Sequence, residues 1–150
     1  MSDYFKNINE ISYEGPESDN PLSFKYYDEN KQVLGKTMKE QLRFATCYWH
    51  TFTWPGLDPF GGATFERPWM SGSDPLKMAE TKLDVAFDFF TKIKTPFFCF
   101  HDRDISPEGT SYKETQKNFL HIVDLMESKM ESNNVKLLWG TANAFHIKDI

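Results

Sequence analysis

The sequence predicts an α/β protein with a parallel sheet. Strand-like and helix-like segments alternate in the order strand, helix, strand, helix, strand, and this order favours parallel strands joined by crossover helices. With 150 residues and 39% hydrophobic content, the chain has the length and apolar composition of one ordinary domain. We assign residues 1–36 to an irregular, aromatic-rich arm and residues 37–150 to the alternating region.

The first elements follow the arm, in which two prolines prevent a long helix and the aromatic side chains are expected to pack onto the domain. Thr37 and Glu40 have the spacing of a capping box, which predicts a short helix over residues 38–43. The aromatic run Phe44–Trp49 comes next and ends before a Pro-Gly turn. A short apolar run of this kind predicts a buried strand.

Asp74 and Pro75 have the residue types that begin helices, as N-cap and first helical residue. A long helix is predicted from there, because apolar residues recur every three or four positions: Leu76, Ala79, Leu83, Ala86, Phe87 and Phe90. Pro96 ends it, and the continuous apolar run Phe97–Phe100 predicts a strand buried on both faces.

Ser111 and Glu114 predict a second capping box at the start of another long helix. Its apolar face is formed by Phe119, Ile122, Val123, Met126 and Met130. The turn-forming pair Asn133-Asn134 ends this helix, and Val135–Trp139 is the third predicted strand.

Charge and composition restrict the classes of partner. The formal net charge of -5, without a basic stripe, argues against nucleic acid. No apolar run approaches the ~20 residues that span a bilayer, and the start of the chain lacks a secretory signal. Cys47 and Cys99 lie in apolar runs and are interpreted as small core residues. We therefore expect a cytoplasmic protein that binds neither nucleic acid nor membrane.

The candidate catalytic residues are His101 and Asp104, directly after the second strand. Ligand sites in parallel α/β folds lie at the carboxyl ends of the strands. Histidine can exchange a proton near neutral pH, and a carboxylate on its second ring nitrogen fixes the tautomer. The alternative is structural: Asp102 and Asp104 cap the next turn, while His101 bonds to the backbone. Spacing alone leaves both interpretations open.

Aromatic residues make up 16% of the chain, and several of them follow strand ends. The candidates for a sugar-binding surface are the rings of Trp49, Phe60, Trp139 and Phe145 with the hydroxyl of Thr141. The C–H faces of sugars pack on such rings, while polar groups bind the hydroxyls. For any single ring, core or interface packing is the alternative. The remaining histidines and the Gly-rich loop at 60–65 match no metal or phosphate motif, so no metal ligand is predicted.

Four segments closely resemble xylose isomerases: Tyr-Trp-His-Thr-Phe (48–52), Asp-Pro-Phe-Gly-Gly-Ala-Thr-Phe-Glu-Arg-Pro-Trp (58–69), Cys-Phe-His-Asp-Arg-Asp (99–104) and Leu-Leu-Trp-Gly-Thr-Ala-Asn (137–143). The resemblance runs from about Tyr4 to Phe145, and the arm resembles the larger class of the family. It implies the N-terminal βαβαβ portion of a (β/α)₈ TIM barrel, since a closed barrel takes ~200 residues or more. It also implies a homotetramer that converts D-xylose to D-xylulose, with D-glucose as a second candidate sugar.

The resemblance implies residue roles as well. His101 would bond the sugar ring oxygen and assist ring opening, and Asp104 would orient it. The implied substrate-binding residues are Trp49 and Trp139 as pocket walls, Thr141 and Phe145 as pocket residues, and Phe60 as a loop residue that reaches a neighbouring subunit's site.

The family uses two divalent cations per subunit, Mg²⁺, Mn²⁺ or Co²⁺. Their ligands and the catalytic lysine belong to later strands, so the resemblance implies that they lie beyond this chain. We therefore expect a fragment with the ring-opening pair that is inactive alone. The alternatives are a non-catalytic, partner-dependent module and, more remotely, another sugar-converting barrel such as an epimerase.

Overall fold

The computed structural model describes residues 3–142 and has the predicted mixed α/β architecture with a parallel sheet. It begins with a 3₁₀ turn, Asp3–Phe5, and a hairpin of two short antiparallel strands. The elements in chain order are β1 (Gln32–Val33), β2 (Lys36–Thr37), α1 (Met38–Gln41), β3 (Ala45–Cys47), a π-helical turn (Trp49–Thr53), a 3₁₀ turn (Pro68–Met70), α2 (Pro75–Lys92), β4 (Phe97–His101), α3 (Asp102–Ile105), α4 (Tyr112–Asn133) and β5 (Lys136–Thr141).

The sheet that positions the site has the order β3-β4-β5, with both pairs parallel. Cys47 lies opposite Cys99 between β3 and β4, and His101 lies opposite Thr141 between β4 and β5. The predicted alternation of strands and helices is thereby confirmed. The carboxyl ends of all three strands lie at one edge because the strands are parallel.

The helix α2 begins as predicted, with the Asp74 carboxylate accepting hydrogen bonds from the backbone N–H groups of Leu76 (2.9 Å) and Lys77 (3.1 Å). Its apolar face packs on β4, where the Phe90 and Phe98 rings stack with centroids 5.3 Å apart. Side chains from α2, α4 and β4 form one hydrophobic core. Large aromatic residues supply much of its apolar area.

The helix α4 ends as predicted, because Asn134 adopts a left-handed conformation with φ of 52°. Its start differs in part. Ser111 Oγ accepts from the Glu114 backbone N–H (3.2 Å), but the Glu114 carboxylate accepts from the Thr110 N–H (2.7 Å) and hydroxyl (2.6 Å). Thr110 offers two donors to one carboxylate oxygen, so the predicted reciprocal bond to the Ser111 backbone is replaced.

Two elements are shorter in the structure than the sequence predicted. The helix α1 has its capping box at Thr37 but ends at Gln41. The first strand of the parallel sheet covers only three residues, because a π-helical turn begins at Trp49 and is closed by the bond from Trp54 N–H to the Trp49 carbonyl (2.8 Å). Trp49 therefore lies on a turn that follows β3.

The third strand, unlike β4, is not buried. Every residue of β5 is exposed among the described residues, and Leu138 is 55% exposed. Apolar strands of a parallel sheet are usually covered on both faces, but among residues 3–142 every position of β5 is left exposed.

The arm packs by its aromatic rings, as predicted. Tyr4 meets Trp69 edge to face at 5.6 Å, and Tyr27 meets Phe44 at 5.3 Å. The division of the chain at residue 36 stays a prediction. Within residues 3–142, no helix combines the length and the apolar character needed to cross a membrane.

Candidate active site

His101 and Asp104 form a tight pair where β4 passes into α3. The Asp104 Oδ2 atom accepts the His101 backbone N–H at 2.8 Å and lies 3.0 Å from His101 Nδ1. An ionised carboxylate can only accept, so the imidazole donates from Nδ1. Asp104 is buried, whereas the His101 side chain remains 37% exposed. One carboxylate thus caps the turn and contacts the ring, and the catalytic role of the pair stays a prediction.

Trp139 and Thr141 lie beside the pair on β5. The Trp139 ring meets the His101 ring edge to face, with centroids 5.6 Å apart and planes at 70°. Thr141 is the register partner of His101. Alternate residues of a strand share a face, so Trp139 and Thr141 belong to the same face of the sheet as His101. The structure therefore brings four predicted site residues together.

Two of the other three predicted residues lie among the described residues. Trp49 is exposed at the start of the π-helical turn. Phe60 is 98% exposed on a turn, where Asp58 Oδ1 accepts its backbone N–H at 2.7 Å. Phe145 lies outside the described residues. The substrate-binding roles of these three residues stay predictions.

A buried polar chain behind Asp104 was missed by the sequence analysis. Lys82 of α2 is buried and donates from Nζ to Thr53 Oγ1 at 3.2 Å. The Thr53 hydroxyl in turn donates to the Asp104 backbone carbonyl at 3.4 Å. Burial lowers the pKa of Lys82 to about 8, and the negative charge of Asp104 opposes that shift. The signal was available, since Lys82 follows Ala79 by three positions and precedes Ala86 by four.

The two cysteines are free thiols on neighbouring strands. Cys99 is buried as predicted, whereas Cys47 is half-buried and its Sγ lies 3.2 Å from His50 Nδ1. Burial raises the pKa of Cys99 to about 11, with further contributions from Cys47 and Asp104. Cys99 therefore stays protonated beneath the site.

Residues 3–142 contain no group of three or more His, Cys, Asp or Glu side chains arranged to hold a metal ion. A cleft of about 620 Å³ lies between α4 and β5, and its wall includes Phe119, Leu120 and Thr141 but not His101. The His101 and Trp139 side chains lie instead at an exposed surface of the sheet.

Comparison with curated proteins identifies relatives along nearly the whole chain. A protein of Photobacterium profundum is 57% identical over 145 residues, which are 97% of this chain and 33% of the relative. A Paraburkholderia phytofirmans protein is 57% identical over 142 residues, 95% of this chain and 32% of the relative. A Salmonella paratyphi A protein is 53% identical over 145 residues, 97% of this chain and 34% of the relative. All three are named xylose isomerase.

Along nearly its whole length, the chain is thus similar to the N-terminal third of proteins named xylose isomerase. The predicted resemblance is confirmed, and the mixed α/β structure with a parallel sheet fits that portion of a xylose isomerase. The chain spans about a third of the length of the curated relatives it matches. No protein-family model matches it.

Proposed function

We propose that this chain functions in the isomerisation of D-xylose to D-xylulose, as the part of the enzyme that opens the sugar ring. The observation that supports the proposal most strongly is the His101–Asp104 pair, held at 3.0 Å beside Trp139 at the end of β4. The homologous relatives, named xylose isomerase, supply the substrate class.

The pair has the chemistry that ring opening needs. Asp104 holds Nδ1, so Nε2 is the His101 atom available to a ligand. Opening a pyranose breaks the C1–O5 bond, and its electron pair goes to the ring oxygen. The protonated imidazole donates its Nε2 proton to that oxygen, while the O1 hydroxyl loses its proton to water and becomes the aldehyde. Asp104 stabilises the positive charge of the imidazolium that performs this step.

Aromatic and hydroxyl groups around the pair would orient the sugar. Trp139 is 41% exposed beside His101 and offers a flat apolar surface to the C–H face of a sugar. Thr141 would bond a hydroxyl, and Trp49 and Phe145 would complete the pocket. Phe60 would reach the site of a neighbouring subunit in a homotetramer, a role that suits its nearly complete exposure.

The two divalent cations implied by the family do not fit residues 3–142, which offer no candidate ligand group. We therefore place the ligands for Mg²⁺, Mn²⁺ or Co²⁺ outside these residues and derive no step through the cations. The closed (β/α)₈ barrel that would include β3, β4 and β5, and a cytoplasmic location, belong to the same proposal.

A non-catalytic module that needs a partner is the second candidate. It is favoured by the apolar side chains exposed on α4 and β5, among them Leu120 and Leu138. Exposed apolar patches of this kind mark surfaces that another layer covers.

A chimera tests the proposal against this alternative. Residues 1–142 of this chain replace the matching residues of the Photobacterium profundum relative, and D-xylulose formation is measured with D-xylose and Mg²⁺. We expect turnover, and we expect His101→Asn to lower kcat by about 10²-fold or more, because general acid catalysis contributes on this scale.

His121→Asn is the matched control, because His121 bonds Glu80 on the surface at 2.8 Å, between α4 and α2. It is expected to leave kcat unchanged. A folded chimera without turnover would support the non-catalytic module. An active chimera that tolerates His101→Asn would remove the proposed role of that residue.

A further inference from the structure

Lys82 lies in a place where a lysine needs an explanation. It occupies the buried face of α2, between Ala79 and Ala86. Burying an ammonium group is costly unless other groups compensate for its lost hydration. Among the described residues, the hydrogen bond that the structure gives to its Nζ atom is the one to the Thr53 hydroxyl, at 3.2 Å.

Tyr48 does not supply the compensating charge. Its ring centroid lies 5.8 Å from Lys82 Nζ, but its hydroxyl is buried without a hydrogen-bond partner among the described residues. Burial raises the pKa of Tyr48 far above its usual range, so this side chain stays neutral. Its ring face gives only the weak attraction of an aromatic ring for a cation.

Asp104 is the acid whose charge acts on Lys82. It favours the protonated amine against the effect of burial. The two residues are also joined structurally, since the Thr53 hydroxyl accepts from Lys82 and donates to the Asp104 carbonyl at 3.4 Å. Lys82 and Asp104 are thus linked both by charge and through the Thr53 hydroxyl.

We propose that Lys82 is a positioning residue for the His101–Asp104 pair: its buried ammonium, through Thr53, holds the Asp104 backbone in place and supplies positive charge close to the Asp104 carboxylate. The catalytic importance of this role rests on the proposed ring-opening function. Lys82 is buried on α2 and joined to Asp104 through Thr53, so the proposal assigns it no contact with the sugar.

Other ionisable groups lie close enough to influence a titration of Lys82 or Asp104. The groups whose charges reach Lys82, Tyr48, Cys99 or Asp104 are Asp84 from α2, Cys47 from β3, Cys99 and His101 from β4, and Asp104 from α3. Variants of single residues in this cluster are therefore compared with the unmodified chain under identical conditions.

The first experiment follows the His101 Nδ1 proton by NMR in the 150-residue chain with ¹⁵N-labelled histidine. His101→Asn assigns the resonance. We expect Lys82→Met and Thr53→Val to move this resonance upfield or broaden it, because Asp104 is no longer held against the ring. Lys82→Arg keeps the charge and is expected to retain the resonance.

The second experiment follows the titration of Lys82 itself by NMR of the lysine ¹³Cε nuclei, with Lys82→Arg for assignment. We expect Asp104→Asn to lower the pKa of Lys82 below its value of about 8, because the neighbouring negative charge is removed. This measurement does not depend on whether Lys82→Met folds.

Val85→Ala is the matched control, since Val85 is buried on the same helix. It is expected to change neither readout. The proposal is overturned if Asp104→Asn leaves the Lys82 titration unchanged, or if Thr53→Val and Lys82→Met leave the Nδ1 resonance unchanged. It is also overturned if Val85→Ala perturbs that resonance as strongly. Neither experiment uses sugar or metal, so an inactive chimera would count against the proposed function alone.

Discussion

Asp104 accepts two hydrogen bonds from one residue, the backbone N–H of His101 at 2.8 Å and, at 3.0 Å, its ring nitrogen. The spacing of three residues after a strand end made these two residues candidates for a pair, but it left the structural alternative open. The spacing did not reveal Lys82, because the approach of α2 to Asp104 through Thr53 depends on tertiary packing. Local contacts are encoded in local sequence, whereas this one joins segments far apart in the chain.

The two cysteines should react at very different rates. Cys99 is buried and its pKa is raised to about 11, so little thiolate is present at pH 8. Cys47 is half-buried beside His50. We expect iodoacetamide at pH 8 to alkylate Cys99 at least about tenfold more slowly than Cys47, as measured by peptide mass spectrometry. The denatured chain, in which both should react alike, is the control, and equal rates in the folded chain would contradict the assignment.

At the scale of the element, α2 connects the core to the site. Its N-terminus and its apolar face were predicted from the Asp74-Pro75 signal and the three- and four-residue spacing, and both are confirmed. One polar residue on that face, Lys82, links the helix to the segment that carries Asp104. Helical spacing identifies which residues face inward, but it does not show what they meet there.

The buried lysine should make stability depend on pH in a defined direction. The pKa of Lys82 is about 8 in the folded chain, against an ordinary value of 10.5. Between these values the unfolded chain binds the extra proton and the folded chain does not, so the free energy of unfolding rises with pH. We expect the unmodified chain to gain up to about 3 kcal/mol relative to Lys82→Met between pH 7 and pH 10.5.

Urea unfolding of both chains across this range measures the difference. Comparing the two cancels the contributions of other groups, such as Cys99, whose raised pKa acts in the opposite direction. Lys82→Arg should not reproduce the gain, because arginine stays charged throughout this range. A difference that does not vary with pH would show that Lys82 titrates normally.

At the scale of the whole molecule, the order of elements could be predicted from periodicity and helix caps, and the parallel sheet β3-β4-β5 follows that order. The length of β3 and the exposure of β5 could not be predicted in this way. The π-helical turn at Trp49–Thr53 shortens β3, and no capping or turn signal announces it. The apolar sequence of β5 indicates a strand suited to burial, but it does not show which element, if any, covers that strand.

We propose that His101 opens the sugar ring, and the most direct test compares two substrates in the chimera. One is D-xylose, which is mostly ring-closed, and the other is D-glyceraldehyde, which is too short to form a ring. If His101 acts at ring opening, His101→Asn should lower the rate with D-xylose by about 10²-fold and leave the rate with D-glyceraldehyde largely intact. An equal loss with both substrates, or no loss with D-xylose, would contradict the account.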